Sequence, residues 1–211
     1  MSQFLAIHPT HPETRLIKRA VEIVRAGGVI AYPTDSCYAL GCHIGDKHAM
    51  ERIRQIRDVD ERHHFTLVCS DLSEIGTFAK VDNAQYRLLK AHTPGSYTFI
   101  LKATRELPRR LAHHKRATIG VRVPEHTAVR ALLAELNEPI LSSTLMLPGD
   151  EEPLNDAQEI RQRLEHRLEL IIDGGACGVE PTSVIDLSQD APILVRRGKG
   201  DIASFGFNDE S

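Results

Sequence analysis

Residues 27–41 constrain the fold most, because a helix, a strand and a polar break follow one another there without a linker. The run 12–26 places Leu16, Ile17, Ala20, Val21, Ile23 and Val24 on one helical face. Gly27-Gly28 stops that helix, and Val29-Ile30-Ala31-Tyr32 follows as an apolar core strand. Pro33-Thr34-Asp35-Ser36 cannot extend it. Pro33 has no N–H to give to a ladder, and the residues after it carry side-chain oxygens that favour turns. Polar groups therefore gather where a core strand leaves its sheet, a common place for a ligand site in α/β proteins.

The same alternation runs on through the chain. Residues 47–57 read as a helix with Met50, Ile53 and Ile56 inward and Arg52, Arg54 and Arg57 outward or toward a cleft. Strands are expected at 65–69, 97–102, 118–123, 140–143, 168–172, 182–187 and 193–196. Helices are expected at 83–91 and 127–136, with a charged surface helix within 155–167. Some strands lie too close in sequence for a crossover, so the sheet should be mixed within one α/β domain over 1–205. A polar tail, 206–211, should fray.

Composition narrows the function classes. Hydrophobic residues make up 41 % and charged residues 26 % of the 211-residue chain, as in soluble globular proteins. A formal net charge of -3 excludes a polycation, so nucleic acid would need a local patch. Tryptophan is absent and aromatics are 5 %, which argues against a base-stacking platform. Cys37, Cys42, Cys69 and Cys177 form no C-x-x-C pair and suit neither zinc nor a disulfide framework, so reduced thiols in the cytoplasm are expected. No signal-peptide pattern or membrane-length apolar run stands out, so no membrane partner is expected.

Polar clusters recur at strand ends: Thr34-Asp35-Ser36, Thr93-Pro94-Gly95-Ser96, Arg122 before Pro124, Ser142-Ser143-Thr144, Pro181-Thr182-Ser183 and Arg196-Arg197-Gly198. Hydroxyls and guanidinium forks suit carboxylate and phosphate recognition, although any single cluster can also be a turn cap. Gly174-Gly175-Ala176-Cys177-Gly178 lacks G-K-[ST] and reads as a turn needing positive φ. His63-His64 and His113-His114 are adjacent pairs, which point apart along a chain, and read as solvated surface histidines with no metal. The segment 102–116 is the strongest basic run. Arg105, Arg109, Arg110, Lys115 and Arg116, with Arg52, Arg54, Arg57 and Arg62, make a candidate face for RNA or nucleotide phosphate.

Taken in order, these motifs resemble the YrdC/YciO family, whose best-characterised branch makes threonylcarbamoyl-AMP. Pro33-Thr34-Asp35-Ser36-Cys37-Tyr38-Ala39-Leu40-Gly41 is similar to its P-T-[ED]-T-x-Y-[GA]-L, and Thr93-Pro94-Gly95-Ser96-Tyr97-Thr98 to its W-P-G-x-x-T. Gly120-Val121-Arg122-Val123-Pro124 is similar to V-x-[VI]-R-x-P, and Pro181-Thr182-Ser183-Val184-Ile185-Asp186 to E-S-T-V-V-D. The resemblance spans 20–202 and is nearest the YciO branch. It implies a twisted mixed sheet curved around a positively charged cavity, the YrdC/RibB-like fold. It also implies a reaction in which N-carboxythreonine attacks the α-phosphate of ATP and pyrophosphate leaves with magnesium, ahead of threonylcarbamoyladenosine formation on tRNA.

The resemblance further implies that Thr34 and Ser183 contact threonine and Arg122 grips its carboxylate. Thr118 and Arg196 would hold the nucleotide, Ser142 and Thr144 would sit at the acyl-adenylate junction, and Arg57 would stand where the family has the lysine of K-x-R. The arginine of that pair falls at Val59, the asparagine of S-x-N at Met146, and a further family histidine at about Val68. Each lost charged contact is worth about 1.5–3 kcal/mol, so these departures imply weak or redirected synthase activity. The alternative is a non-catalytic protein that binds double-stranded RNA or tRNA through the positive cavity.

Overall fold

Helix α1 (Thr14–Arg25) ends where Gly27 adopts a φ of +85°, and the N–H groups of Gly27 and Gly28 close back on Val24 and Ile23. The chain then enters β2 (Ile30–Tyr32) and returns antiparallel as β3 (Ala39–His43). Pro33 to Tyr38 is thus the connection of a hairpin, with Pro33 just past the strand that it cannot extend. Strand β3 was not anticipated, because the polar break hides the apolar run behind it. The computed structural model describes residues 1–61, 63–113 and 115–208. Arg62, His114 and tail residues 209–211 lie outside the described residues.

The remaining elements are β1 (Gln3–Ala6), α2 (Lys47–Arg57), β4 (Thr66–Val68), α3 (Leu72–Phe78), α4 (Asn83–His92), β5 (Tyr97–Lys102), β6 (Thr118–Arg122), α5 (Thr127–Leu136), β7 (Ile140–Thr144), α6 (Ala157–Leu164), β8 (Leu170–Asp173), β9 (Ser183–Asp186) and β10 (Ile193–Arg196). Aspartates start four of the helices by accepting from the first-turn backbone: Asp46, Asp71, Asp82 and Asp156. Strands β1 and β10 and helix α3 add to the expected list only in part: β10 was foreseen, whereas β1 and α3 were not.

Ten strands form one mixed sheet in the order β1-β8-β2-β3-β7-β4-β6-β5-β9-β10. One face packs under α2, α3, α4 and α6, with Leu40, Leu67, Phe99, Val121, Leu141 and Ile185 in a shared core. The charged segment 155–167 is therefore anchored from within, since Ile160 and Leu164 of α6 are buried there. On the other face, α1 and α5 cover Ile30, Tyr32, Val68, Ile140, Leu170 and Ile172.

That second cover stops partway across the sheet. Thr66 lies two residues from Val68, and Ser142 two from Ile140, so they share the face of the α1/α5 core. Register carries this row onward: Ser142 pairs with Thr66, Thr66 with Gly120, and Gly120 with Ile100. Small polar residues and a glycine give a helix little to bury against. Half of one sheet face is consequently left open as the floor of a cavity. Among the described residues, no helix is long and apolar enough to cross a membrane. Phe207 packs half-buried against the core, and Arg197 donates to the Asn208 carbonyl, so the chain stays attached past Gly206.

Candidate functional site

The cavity has a volume of about 830 Å³. Its floor is Thr66, Thr98, Ile100, Thr118, Gly120 and Ser142. A Cβ on Gly120 would sit 3.2 Å from Thr66 Oγ1 and 3.3 Å from the Thr98 methyl, so the glycine keeps the floor deep. Walls come from Ser36 and Cys37 of the hairpin, Arg57 at the end of α2, Met146, and Arg196 of β10. Glu151 and Glu152 also line it.

One end is built around Arg122. Its Nη2 donates to Asp35 Oδ1 at 2.5 Å, and Nη1 reaches Ser36 Oγ at 3.4 Å; each side chain of the ion pair is 9 % exposed. Asp35 is fixed in turn: Ser96 Oγ donates to its Oδ2 at 3.0 Å, and Lys199 Nζ donates to its carbonyl. The Nε of Arg122 is buried and unpartnered among the described residues. Thr34 Oγ1 donates to the Cys37 carbonyl at 2.7 Å and accepts from the Ser36 N–H. Ser183 Oγ donates to the Gly200 carbonyl at 2.6 Å and accepts from the Gly198 N–H.

The other end gathers Arg57, His63 and Ser143. Arg57 Nη1 donates to Ser143 Oγ at 2.6 Å and stands 2.9 Å from His63 Nε2, which is 2.8 Å from the same Oγ. An arginine can only donate, so His63 Nε2 is the acceptor and the neutral ring carries its proton on Nδ1. Burial, then the charge of Arg57, pushes His63 down to about 4. Burial also lowers Arg57, helped by Arg196. Arg57 Nε points to the Met146 carbonyl at 3.4 Å.

The expected residues separate on this geometry. Arg57, Thr118, Arg122, Ser142, Thr144 and Arg196 all line the cavity. Thr34 and Ser183 do not: their hydroxyls close turns, while their neighbours Ser36 and Thr182 face the space. Ser142 Oγ is held by Tyr32, whose hydroxyl lies 2.7 Å away after the ring crosses Gly41. Burial pushes the Tyr32 hydroxyl up to about 12. Arg196 donates twice to the Thr182 carbonyl and once to its Oγ1. Neither Thr118 nor Thr144 has a side-chain hydrogen bond among the described residues.

One expectation is corrected in part. His63 and His113 are not solvated surface groups but partly buried in the cavity wall, whereas His64 is exposed at its rim, as expected, with its ring stacked on His113 at 4.7 Å. The two adjacent rings do point apart: His63 turns inward to Arg57 and Ser143, and His64 lies outward against His113. The run 102–116 keeps its cations at the surface. Arg105, Arg109, Arg110, Lys115 and Arg116 are all exposed; Arg110 also donates to the Gly45 carbonyl at 2.6 Å, and Arg116 borders the cavity 3.8 Å from Asp186. Leu107 and Leu111 anchor the run in the core between them.

Arg54 is not available to replace the arginine missing at Val59, because it lies over the Phe65 ring and pairs with Glu51. Val68 shares the sheet face of the cavity floor but is covered by the α1/α5 core and does not line the cavity. Sequence reasoning sets His63 aside as a surface histidine and places Ser143 in a polar strand-end cluster without giving it a role. The sequence offers a histidine just before an expected strand and a hydroxyl-rich strand end at 142–144, but their meeting depends on the pairing of β4 with β7. Among the described residues, no group of three or more His, Cys, Asp or Glu is placed to hold a metal ion.

Comparison with known proteins places this geometry. A family model for Sua5, YciO and YrdC, described as Telomere recombination, matches residues 22–198. The chain is 58 % identical to Escherichia coli YciO over 97 % of its length and all of that protein. The crystal structure of E. coli YciO superposes with a TM-score of 0.94 over the same shares of the two chains. A threonylcarbamoyl-AMP synthase of Chromobacterium violaceum is 33 % identical over 85 % of this chain and 92 % of that protein. Pyrococcus abyssi Sua5 complexed with L-threonine superposes with a TM-score of 0.86 at 25 % identity, over 93 % of this chain and 58 % of that one. The chain belongs to the Sua5/YciO/YrdC family.

Proposed function

We propose that the cavity binds an adenosine nucleotide together with a small carboxylate, and that the protein is a YciO-type relative of threonylcarbamoyl-AMP synthases with weak or redirected synthase activity. The observation that carries this reading is the convergence of Arg57, Arg122 and Arg196 with the hydroxyls of Thr118, Ser142, Ser143 and Thr144 around one space of about 830 Å³. Guanidinium forks beside hydroxyls suit phosphate and carboxylate at once. Little covalent chemistry is needed: holding two anions in line and offsetting charge at phosphorus accounts for transfer of this kind. N-carboxythreonine would attack the α-phosphate and pyrophosphate would leave, with magnesium arriving on the phosphates of ATP. Cytoplasmic location and a link to tRNA modification belong to the same reading.

The weak-activity half of the proposal rests on the phosphate side. Val59 cannot supply a charge, Met146 offers a thioether where the family has an amide, and Arg54 is committed to Phe65 and Glu51. The test is to incubate the pure protein with ATP, bicarbonate, L-threonine and magnesium, and to follow pyrophosphate and the adenylate. Calorimetry with ATP and AMP runs in parallel. Nucleotide binding with slow or no pyrophosphate release is expected. Failure of both nucleotides to bind at millimolar concentration overturns the reading.

A further inference from the structure

Arg57, His63 and Ser143 come from three different segments and satisfy one another in the cavity wall. Each can turn outward. Ser143 can rotate its hydroxyl, Arg57 has further N–H groups, and His63 Nε2 becomes a donor once it carries a proton. We propose that these side chains form a subsite for a tetrahedral dianion, the terminal phosphate group of a nucleotide or of pyrophosphate, which binds together with one proton taken up by His63. The proposal rests on the nucleotide reading above and adds to it a residue, His63, and a coupled proton that the family's motifs do not supply. His63 does for this chain part of what the residues replaced by Val59 and Met146 would otherwise do.

The charge arrangement explains the coupling. With the subsite empty, His63 faces Arg57 and Arg54 of α2, His64 and Asp60 of its own loop, and the neutral Ser143 of β7. His113 lies behind His64, and the cavity's other charges are Arg116, Arg122, Arg196, Glu151 and Glu152. Burial and the adjacent guanidinium hold the ring neutral, at about 4. A dianion seated against Arg57 cancels that repulsion and gives the protonated ring an acceptor. Binding then draws a proton from solvent at any pH between the empty and occupied values, so affinity rises as pH falls through that window.

Sulfate is the suitable probe, because its charge stays fixed across the range. Its affinity would be measured by calorimetry from pH 8 to pH 5 in buffers of differing ionisation enthalpy. Wild-type protein should bind more tightly as pH falls, by up to about tenfold per pH unit where one proton is taken up. His63→Gln, whose amide donates at every pH, should bind sulfate with a flat profile. Nitrogen-detected titration of His63 in the wild-type protein should show its protonation moving up under saturating sulfate, which needs no variant. A flat wild-type profile, or a slope that persists in His63→Gln, overturns the proposal. In those cases binding of ATP or AMP without proton uptake would leave the nucleotide reading standing, whereas the absence of nucleotide binding would remove both.

Discussion

At one end of the cavity, Arg122 is locked: Asp35 holds it, Ser96 and Lys199 hold Asp35, and the hydroxyls of Thr34 and Ser183 close turns nearby. At the other end, among the described residues, the side chains of Arg57, His63 and Ser143 hydrogen-bond to one another and to the Met146 carbonyl. The first end spends its polar groups on its own shape, so its geometry is set before any ligand arrives. The second keeps groups that can exchange protein partners for a ligand at little structural cost. The motifs that announce the family fall largely at the locked end, and the departures from the family fall at the adaptable one. Sequence motifs here therefore report scaffolding better than they report chemistry.

The largest expected effect breaks the locked end. Asp35→Asn removes the negative charge and leaves Arg122 buried without a counter-ion, with its Nε already unpartnered. Losing one member of a buried pair costs about 3–5 kcal/mol, which urea denaturation at neutral pH would read as a lowered midpoint. A loss under about 1 kcal/mol would mean that Arg122 is not fixed by Asp35, and the contrast between the two ends would fall.

Arg57→Gln probes the adaptable end. It removes a charged donor facing the cavity, and AMP or ATP affinity should fall by about 1.5–3 kcal/mol, roughly 10- to 150-fold. The urea midpoint should move much less than for Asp35→Asn, because the partners of Arg57 are a hydroxyl, a neutral imidazole and a carbonyl. Equal destabilisation by the two substitutions would erase the distinction.

A smaller effect concerns pH. His63 is held at about 4 in the fold against an ordinary value of 6.5. Above pH 6.5 the ring is neutral in both states. Between pH 6.5 and 4 the unfolded chain takes the proton first, so the fold loses stability as pH falls through that window. The ring is only half-buried, so the loss should be about 1.5 kcal/mol after screening. Comparing urea midpoints at pH 7 and 4.5 for wild type and His63→Gln isolates it. An identical pH dependence in the two proteins would show that His63 is solvated after all.

Much of the fold could be read locally. The helix stop at Gly27, the end of β2 at Pro33 and the inward faces of α1 and α2 follow from residue type and periodicity. The strand order did not follow, because β7 sits between β3 and β4 through pairings far apart in sequence. The open half of the sheet depends on that order. Thr66, Gly120 and Ser142 form a floor only once their strands are neighbours. His63 was misjudged for the same reason, since nothing within the run His63-His64-Phe65 says that β4 will lie at the centre of the sheet. The locked end was legible as a cluster of turn-forming residues, but the Asp35–Arg122 pair joins positions in different hairpins.

The smallest expected effect would sharpen the contrast by moving the adaptable end back toward its synthase relatives. Met146 lines the cavity, and an asparagine there would restore a neutral amide donor. Val59 follows Asp58, whose φ of 51° turns the chain out of α2, so an arginine at 59 starts from the end of the helix that carries Arg57. A neutral hydrogen bond contributes about 0.5–1.5 kcal/mol, so Met146→Asn alone should raise ATP-dependent pyrophosphate release by about two- to tenfold. Adding Val59→Arg should act mainly on ATP and little on AMP, because the gained charge would meet the outer phosphates. If the double variant binds both nucleotides equally better, the triphosphate does not run toward α2, and the two ends of the cavity do not divide acyl from phosphate recognition.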